Sequence, residues 1–102
     1  MGKRAHTRIP ANIEVRFRCT NTEYSGTITD ISEGGMFIST SETYLPFDVE
    51  FEIPIFLNDA ILYMPVNLVR VILSPDYNGI GVKLKNPTGK YLEFLNSLIS
   101  SQ

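Results

Sequence analysis

The side chains able to do chemistry are concentrated in two short stretches. The first is Lys3-Arg4-Ala5-His6-Thr7-Arg8, in which Arg4 and Arg8 stand four residues apart. That spacing puts both guanidinium groups on one side of the backbone, about 13 Å apart along it if the chain is extended and about 6 Å apart if it is helical. The planar fork of arginine matches phosphate oxygens and the O6/N7 edge of guanine, both bidentately. The second stretch is Asp30-Ile31-Ser32-Glu33-Gly34-Gly35. Asp30 and Ser32, two residues apart at the end of an expected strand, are predicted to project to one side. A carboxylate accepts from the N1–H and N2–H₂ donors of a guanine edge, and a serine hydroxyl and the amides of a glycine turn donate to a phosphate or carbonyl. Taken singly, the two stretches have plainer readings: a solvated basic tail, and an Asx turn closed on its own backbone. Taken together, they supply cationic forks, a carboxylate, a hydroxyl and close backbone approach, an inventory suited to a ligand carrying both guanine bases and phosphates.

Other chemistries find little support. His6 is the sole histidine and lies in the basic leading segment, where nothing is expected to hold its tautomer for general-base work. The carboxylates of Glu50 and Glu52 read as one solvated strand face. One cysteine and one histidine cannot form an ordinary zinc site, and no phosphate-binding glycine loop follows a strand. No metal, cofactor or catalytic function is therefore expected. A nucleic acid polymer is a poor fit, because the charge is divided. Residues 1–18 carry five basic side chains against one acidic, net +4, and the remaining 84 carry four against ten, net −6. The leading segment offers few phosphate contacts, and no aromatic–basic platform repeats along a strand. The longest apolar run, residues 60–66, is far too short to span a bilayer, and the basic start has no apolar signal core. Membrane insertion is not expected, and a reducing cytoplasm is the expected compartment.

The elements that must position these groups are mostly strands. With 102 residues, 43% of them apolar and 20% charged, the chain has the size and composition of one globular domain. Ile13, Val15, Phe17 and Cys19 alternate with Glu14, Arg16 and Arg18, the pattern of a half-buried strand with Cys19 as a small core residue. A second strand is expected over about Tyr24–Ile31, a glycine turn at 32–35, and a short strand from Met36 to Ser39. Val49, Phe51, Ile53 and Ile55 alternate in a further strand, which Pro54 places at an edge or a bulge. Ile61–Leu73 reads as one long strand made irregular at Pro65. Ser74–Gly79 is a turn, and Ile80–Leu84 the last strand. Asn86-Pro87 reads as the cap and first position of a helix over about residues 87–100, with Tyr91, Leu92, Leu95, Leu98 and Ile99 at helical spacing. The expected fold is all-β: a six-stranded antiparallel barrel over residues 12–102 closed by one C-terminal helix, preceded by a flexible basic arm over residues 1–11.

Arg4…Arg8 and Asp30-Ile31-Ser32-Glu33-Gly34-Gly35 also carry a resemblance. The chain resembles the PilZ domain family, whose members show R-x-x-x-R near the start and [DN]-x-[SA]-x-x-G after the second strand, with Asp30, Ser32 and Gly35 at the defining positions here. Gly79-Ile80-Gly81-Val82-Lys83-Leu84 before a helix matches the end of the family's barrel, so the likeness covers essentially the whole chain. It implies a six-stranded barrel that binds the bacterial second messenger cyclic di-GMP. It further implies that Arg4 and Arg8 grip phosphate and guanine from the arm, while Asp30, Ser32, Gly34 and Gly35 receive a guanine on the barrel surface. Arg70 falls where some relatives have a basic residue near the ligand, and Lys3 where many have another arginine. On this reading the arm orders when ligand binds. Read as a receptor domain alone, the chain then signals to a partner protein in control of motility, biofilm or exopolysaccharide. The alternative is a degenerate PilZ-like interaction module that binds no nucleotide.

Overall fold

The computed structural model describes residues 8–19, 21–41, 50–57 and 59–100. Six strands and one helix follow in chain order: β1 (Ile9–Cys19), β2 (Thr22–Ile31), β3 (Gly35–Thr40), β4 (Glu50–Phe56), β5 (Ile61–Leu73), β6 (Asn78–Leu84) and α1 (Gly89–Ser100). All pairings are antiparallel, in the order β1-β2-β3-β6-β5-β4, and the sheet curls into a nearly closed barrel. At the seam between the end strands, the rings of Phe17 on β1 and Phe51 on β4 stack with centroids 5.0 Å apart, so side chains finish what the ladder leaves open. Pro54 sits on β4, an end strand, where its missing N–H is tolerated.

Alternation along each strand sends one set of side chains inward. Val15 and Phe17 of β1, Ile28 and Ile31 of β2, Met36 and Ile38 of β3, Ile53 and Ile55 of β4, Met64 and Val66 of β5, and Ile80 and Val82 of β6 fill a single core. Cys19 is buried in it, and burial pushes its thiol up to about 11, which leaves it a neutral, inert core residue at physiological pH.

β2, β3 and β6 run one or two residues beyond the expected ends, and three larger differences from the sequence expectation have physical reasons. The sequence places the arm–barrel boundary after residue 11, but β1 begins at Ile9, because Ile9 is a core residue paired opposite Ile31. The helix begins at Gly89 rather than near Pro87. Its cap is Thr88, whose hydroxyl accepts from the Tyr91 N–H at 3.2 Å while its carbonyl accepts from the Leu92 N–H at 3.0 Å. The irregularity of β5 lies not at Pro65, which pairs in register with Glu52, but between Leu68 and Arg70.

Candidate functional site

Strand parity explains how the site reaches the surface. On β2, Ile28 points into the core, so a regular strand would point Asp30 inward as well. A bulge intervenes: Ile28 pairs with Ile38 and Asp30 with Phe37, leaving Thr29 as the extra residue. Asp30 thereby turns outward while Ile31 returns to the core. On β5 the same device acts a second time. Leu68 packs on the core and pairs with Val82, Arg70 pairs with Gly81, and Val69 is the extra residue. Arg70 turns outward and Val71 returns to the core.

Both bulges feed one row on the outer surface. Pro10, Asp30, Phe37, Gly81 and Arg70 are successive register partners across β1, β2, β3, β6 and β5. Arg8, just ahead of β1, reaches this row: its guanidinium donates to a carboxylate oxygen of Asp30 in an ion pair whose partners are each about one-third exposed. The two motifs picked out in the sequence, 22 residues apart, therefore meet. Arg70, on the far side, lies across Gly81 with its guanidinium carbon 5.9 Å from the centroid of the Phe37 ring.

The turn after β2 is held at every polar atom of Ser32. Its N–H donates to the Gly35 carbonyl (2.8 Å). Its hydroxyl donates to the same carbonyl (3.4 Å) and accepts from the Gly34 N–H (3.3 Å). Its carbonyl accepts from the buried Tyr91 hydroxyl of α1. Ser32 is only 5% exposed, so its side chain shapes the turn rather than standing beside Asp30 on the open face. The Gly34 carbonyl accepts from the Leu84 N–H (2.9 Å), tying the turn to the end of β6. Gly35 is required by close approach, since a Cβ there would sit 2.4 Å from the Val82 carbonyl oxygen of β6. Burial, reinforced by the charge of Glu33, holds the Tyr91 hydroxyl well above the ordinary phenol range, so it stays a proton donor to Ser32.

Of the expected site residues, then, Arg8, Asp30 and Arg70 share one outer row, and Ser32, Gly34 and Gly35 form the adjoining turn. Lys3 and Arg4 lie outside the described residues. The sequence misses Phe37. As an apolar residue in a strand it reads as core, yet it lies on the outer face and is buried there against Gly79, Tyr77 and Arg70. The signal for it is parity: Met36 and Ile38 point inward, so Phe37 must point out. A concavity of about 960 Å³ among the described residues includes Arg16, Thr27, Ser39 and Tyr77 in its wall but none of the motif residues. The motif row is instead a strand surface with Asp30 partly exposed and Arg70 exposed, and with Phe37 and Gly81 covered between them.

The fold has close counterparts among solved structures. The barrel superposes on the PilZ domain of YcgR from Escherichia coli, solved with c-di-GMP, with a TM-score of 0.73 and 18% identity over 97% of this chain and 90% of that one. It superposes on the K. pneumonia MrkH–c-di-GMP complex with a TM-score of 0.79 and 21% identity, covering 99% of this chain and 54% of that one. For the Bacillus subtilis inhibitor of motility, MotI/DgrA, the values are 0.79 and 15%, covering 100% and 52%. The chain thus spans about half the length of the last two. Comparison with curated protein sequences gives no match. The family model for the PilZ domain matches residues 2–101, nearly the full length, and the chain belongs to the PilZ domain family.

Proposed function

We propose that the protein is a cyclic di-GMP receptor whose ligand lies on the outer row, and that it signals by presenting the changed surface to a partner protein. The observation that carries this reading is the contact between the two motifs, with the Arg8 guanidinium on the Asp30 carboxylate. In this reading Arg8 is the phosphate-binding fork and Asp30 the guanine-edge acceptor, and their contact supports one ligand reaching both. Without ligand, each satisfies the other. A guanine edge brings two N–H donors to Asp30 and a phosphate brings oxygens to Arg8, so binding replaces one ion pair by two sets of charge-assisted hydrogen bonds. Because the pair is partly exposed, breaking it costs at most about 1 kcal/mol, against roughly 1.5–3 kcal/mol for each charged hydrogen bond formed.

Arg4 and Lys3 belong to the same basic stretch of sequence, and in this reading they add phosphate contacts. The Gly34-Gly35 turn, rigid through Ser32, gives the guanine a surface with no side chain in the way. We read the site as that of a receptor rather than an enzyme, in keeping with its membership of a family of binding modules. No helix among the described residues is long and apolar enough to cross a membrane. In this reading the process under control is motility, the process named for the Bacillus subtilis inhibitor of motility.

Calorimetric titration with cyclic di-GMP, with GTP as control, tests the reading. Saturable binding of cyclic di-GMP but not GTP, weakened by Arg8→Ala and by added salt, is expected. A wild-type protein that takes up neither nucleotide would make it a protein-interaction module instead.

A further inference from the structure

The row does not end at Asp30, and its far end has a different chemistry. Phe37 is a large apolar side chain on the outside of the barrel that is nonetheless 5% exposed. Its ring lies over Gly79, where a Cβ would come within 2.4 Å of it. One side is braced by Tyr77, whose ring stacks at 6.0 Å and 24°. Tyr77 is held in turn by Ser74, whose hydroxyl accepts from the Tyr77 N–H (3.0 Å) and donates to its carbonyl (2.7 Å). Against this fixed ring rests the guanidinium of Arg70, itself exposed, turned outward by the bulge at Val69 and carried across β6 where Gly81 leaves room. An exposed arginine ordinarily samples many rotamers; this one is positioned in advance.

Resting on the reading proposed above, we infer that the two ends of the row read the two bases of the ligand by different rules. The Asp30 end reads a guanine by its edge, and the Arg70 end takes the second base by its face, with Phe37 as the positioning residue that holds the guanidinium plane. Backbones 30 and 70 are three strand spacings apart, about 14 Å, and Arg70 reaches back across Gly81 to Phe37, the register partner of Asp30, so carboxylate and guanidinium stand within reach of one two-base ligand. At Asp30 the carboxylate demands N–H donors. Adenine presents the N1 acceptor there, so it leaves a charged acceptor facing another acceptor. Among the described residues, the row beyond Phe37 carries no carboxylate, only Gly81 and Arg70. Stacking on a planar cation is tolerant of base identity because every purine has a π face. The site therefore requires one guanine and accepts either purine as the second base.

The test is titration of the full chain with cyclic di-GMP, cyclic GMP–AMP and cyclic di-AMP, repeated for Arg70→Lys, Phe37→Leu and the double variant. Wild type is expected to bind the first two within about ten-fold of each other and cyclic di-AMP at least about a hundred-fold more weakly. Arg70→Lys keeps the charge and loses the plane, and should weaken the first two alike by about ten-fold. Phe37→Leu should do the same, and the double variant should be no weaker than Arg70→Lys alone, since the ring acts through the guanidinium. Arg70 is exposed, so its variant tests the idea even if Phe37→Leu lowers stability. If wild type binds cyclic di-GMP but binds the hybrid as poorly as cyclic di-AMP, or if Arg70→Lys binds like wild type, the two-rule site is wrong and the receptor reading survives. Binding of none of the three overturns the receptor reading itself.

Discussion

Asp30→Asn separates a residue that serves the fold from one that serves a ligand, because the two roles predict different magnitudes in different assays. The substitution keeps the shape of the side chain and removes its charge. In the free protein it breaks the ion pair with Arg8, whose partners have side chains 31% and 33% exposed. Water screens such a pair, and double-mutant measurements put exposed pairs at about 0.2–1 kcal/mol. The backbone at 30 stays in the ladder between β1 and β3, so nothing else in the barrel is lost. The midpoint of urea unfolding should therefore move by no more than that energy divided by the m-value. Ligand binding should respond much more strongly. A carboxylate that accepts from a guanine edge forms charged hydrogen bonds of roughly 1.5–3 kcal/mol, and asparagine turns an amide N–H₂ toward the guanine's own donors. Calorimetry with cyclic di-GMP should show a loss of about ten- to a hundred-fold. A destabilisation above about 2 kcal/mol would make Asp30 a structural residue, and an affinity within about three-fold of wild type would remove the carboxylate from the ligand's surface; either result refutes the placement.

Three further outcomes follow from named contacts. Gly35→Ala should destabilise by about 2 kcal/mol or more in urea unfolding, because the added methyl meets the backbone carbonyl of Val82 at 2.4 Å and no side chain can move to relieve it. Tyr91→Phe leaves the Ser32 carbonyl without its helix donor in a buried site; a loss of about 1–2 kcal/mol, read as a melting temperature lower by roughly 4–10 °C, is expected, and an unchanged melting curve would show that the hydroxyl contributes nothing. Cys19 has a thiol raised from the ordinary 9.0 to about 11 in the folded state, so the unfolded chain gives up its proton first. Stability from this group is complete below pH 9 and declines as pH rises from 9 to 11, and Cys19→Ala should flatten that part of the stability–pH curve.

The sequence shows most of the barrel because its strands obey simple rules. Ile13 to Cys19 and Phe51 to Ile55 alternate, Pro54 marks the end strand, and the chain turns at Ser74–Tyr77, inside the expected stretch, with Asn78 and Gly79 already in β6. What it hides are features that leave composition unchanged. Asn86-Pro87 is as good a helix start on paper as Thr88-Gly89, and only the hydroxyl–amide contact of Thr88 decides between them. Ile9 looks like part of a basic tail until Ile31 is opposite it. Ser32 sits two residues after Asp30 and would share its side if β2 ran on. The strand ends at Ile31, and the serine turns into its own loop.

The deepest of these hidden features is the pair of bulges, because it decides which way the site faces. Strict alternation from Ile28 would drive the Asp30 carboxylate into a core of isoleucines, and alternation from Leu68 would do the same to the Arg70 guanidinium. Neither charge would have a partner there, and the cost of burying each would be several kcal/mol. Threonine and valine, the extra residues at 29 and 69, are ordinary strand formers, so no glycine or proline announces the irregularity. The announcement lies in the conflict itself. A charged residue two places from a core position, followed by another core position one place on, cannot be built from a regular strand. Ile28–Asp30–Ile31 and Leu68–Arg70–Val71 both have this form. Where a barrel strand carries that spacing, the charged residue belongs to an outer surface, and two such spacings on strands linked through β3 and β6 place both charges on one row. The same irregularities that relieve the core of two charges thus assemble the surface on which a charged, two-base ligand can lie.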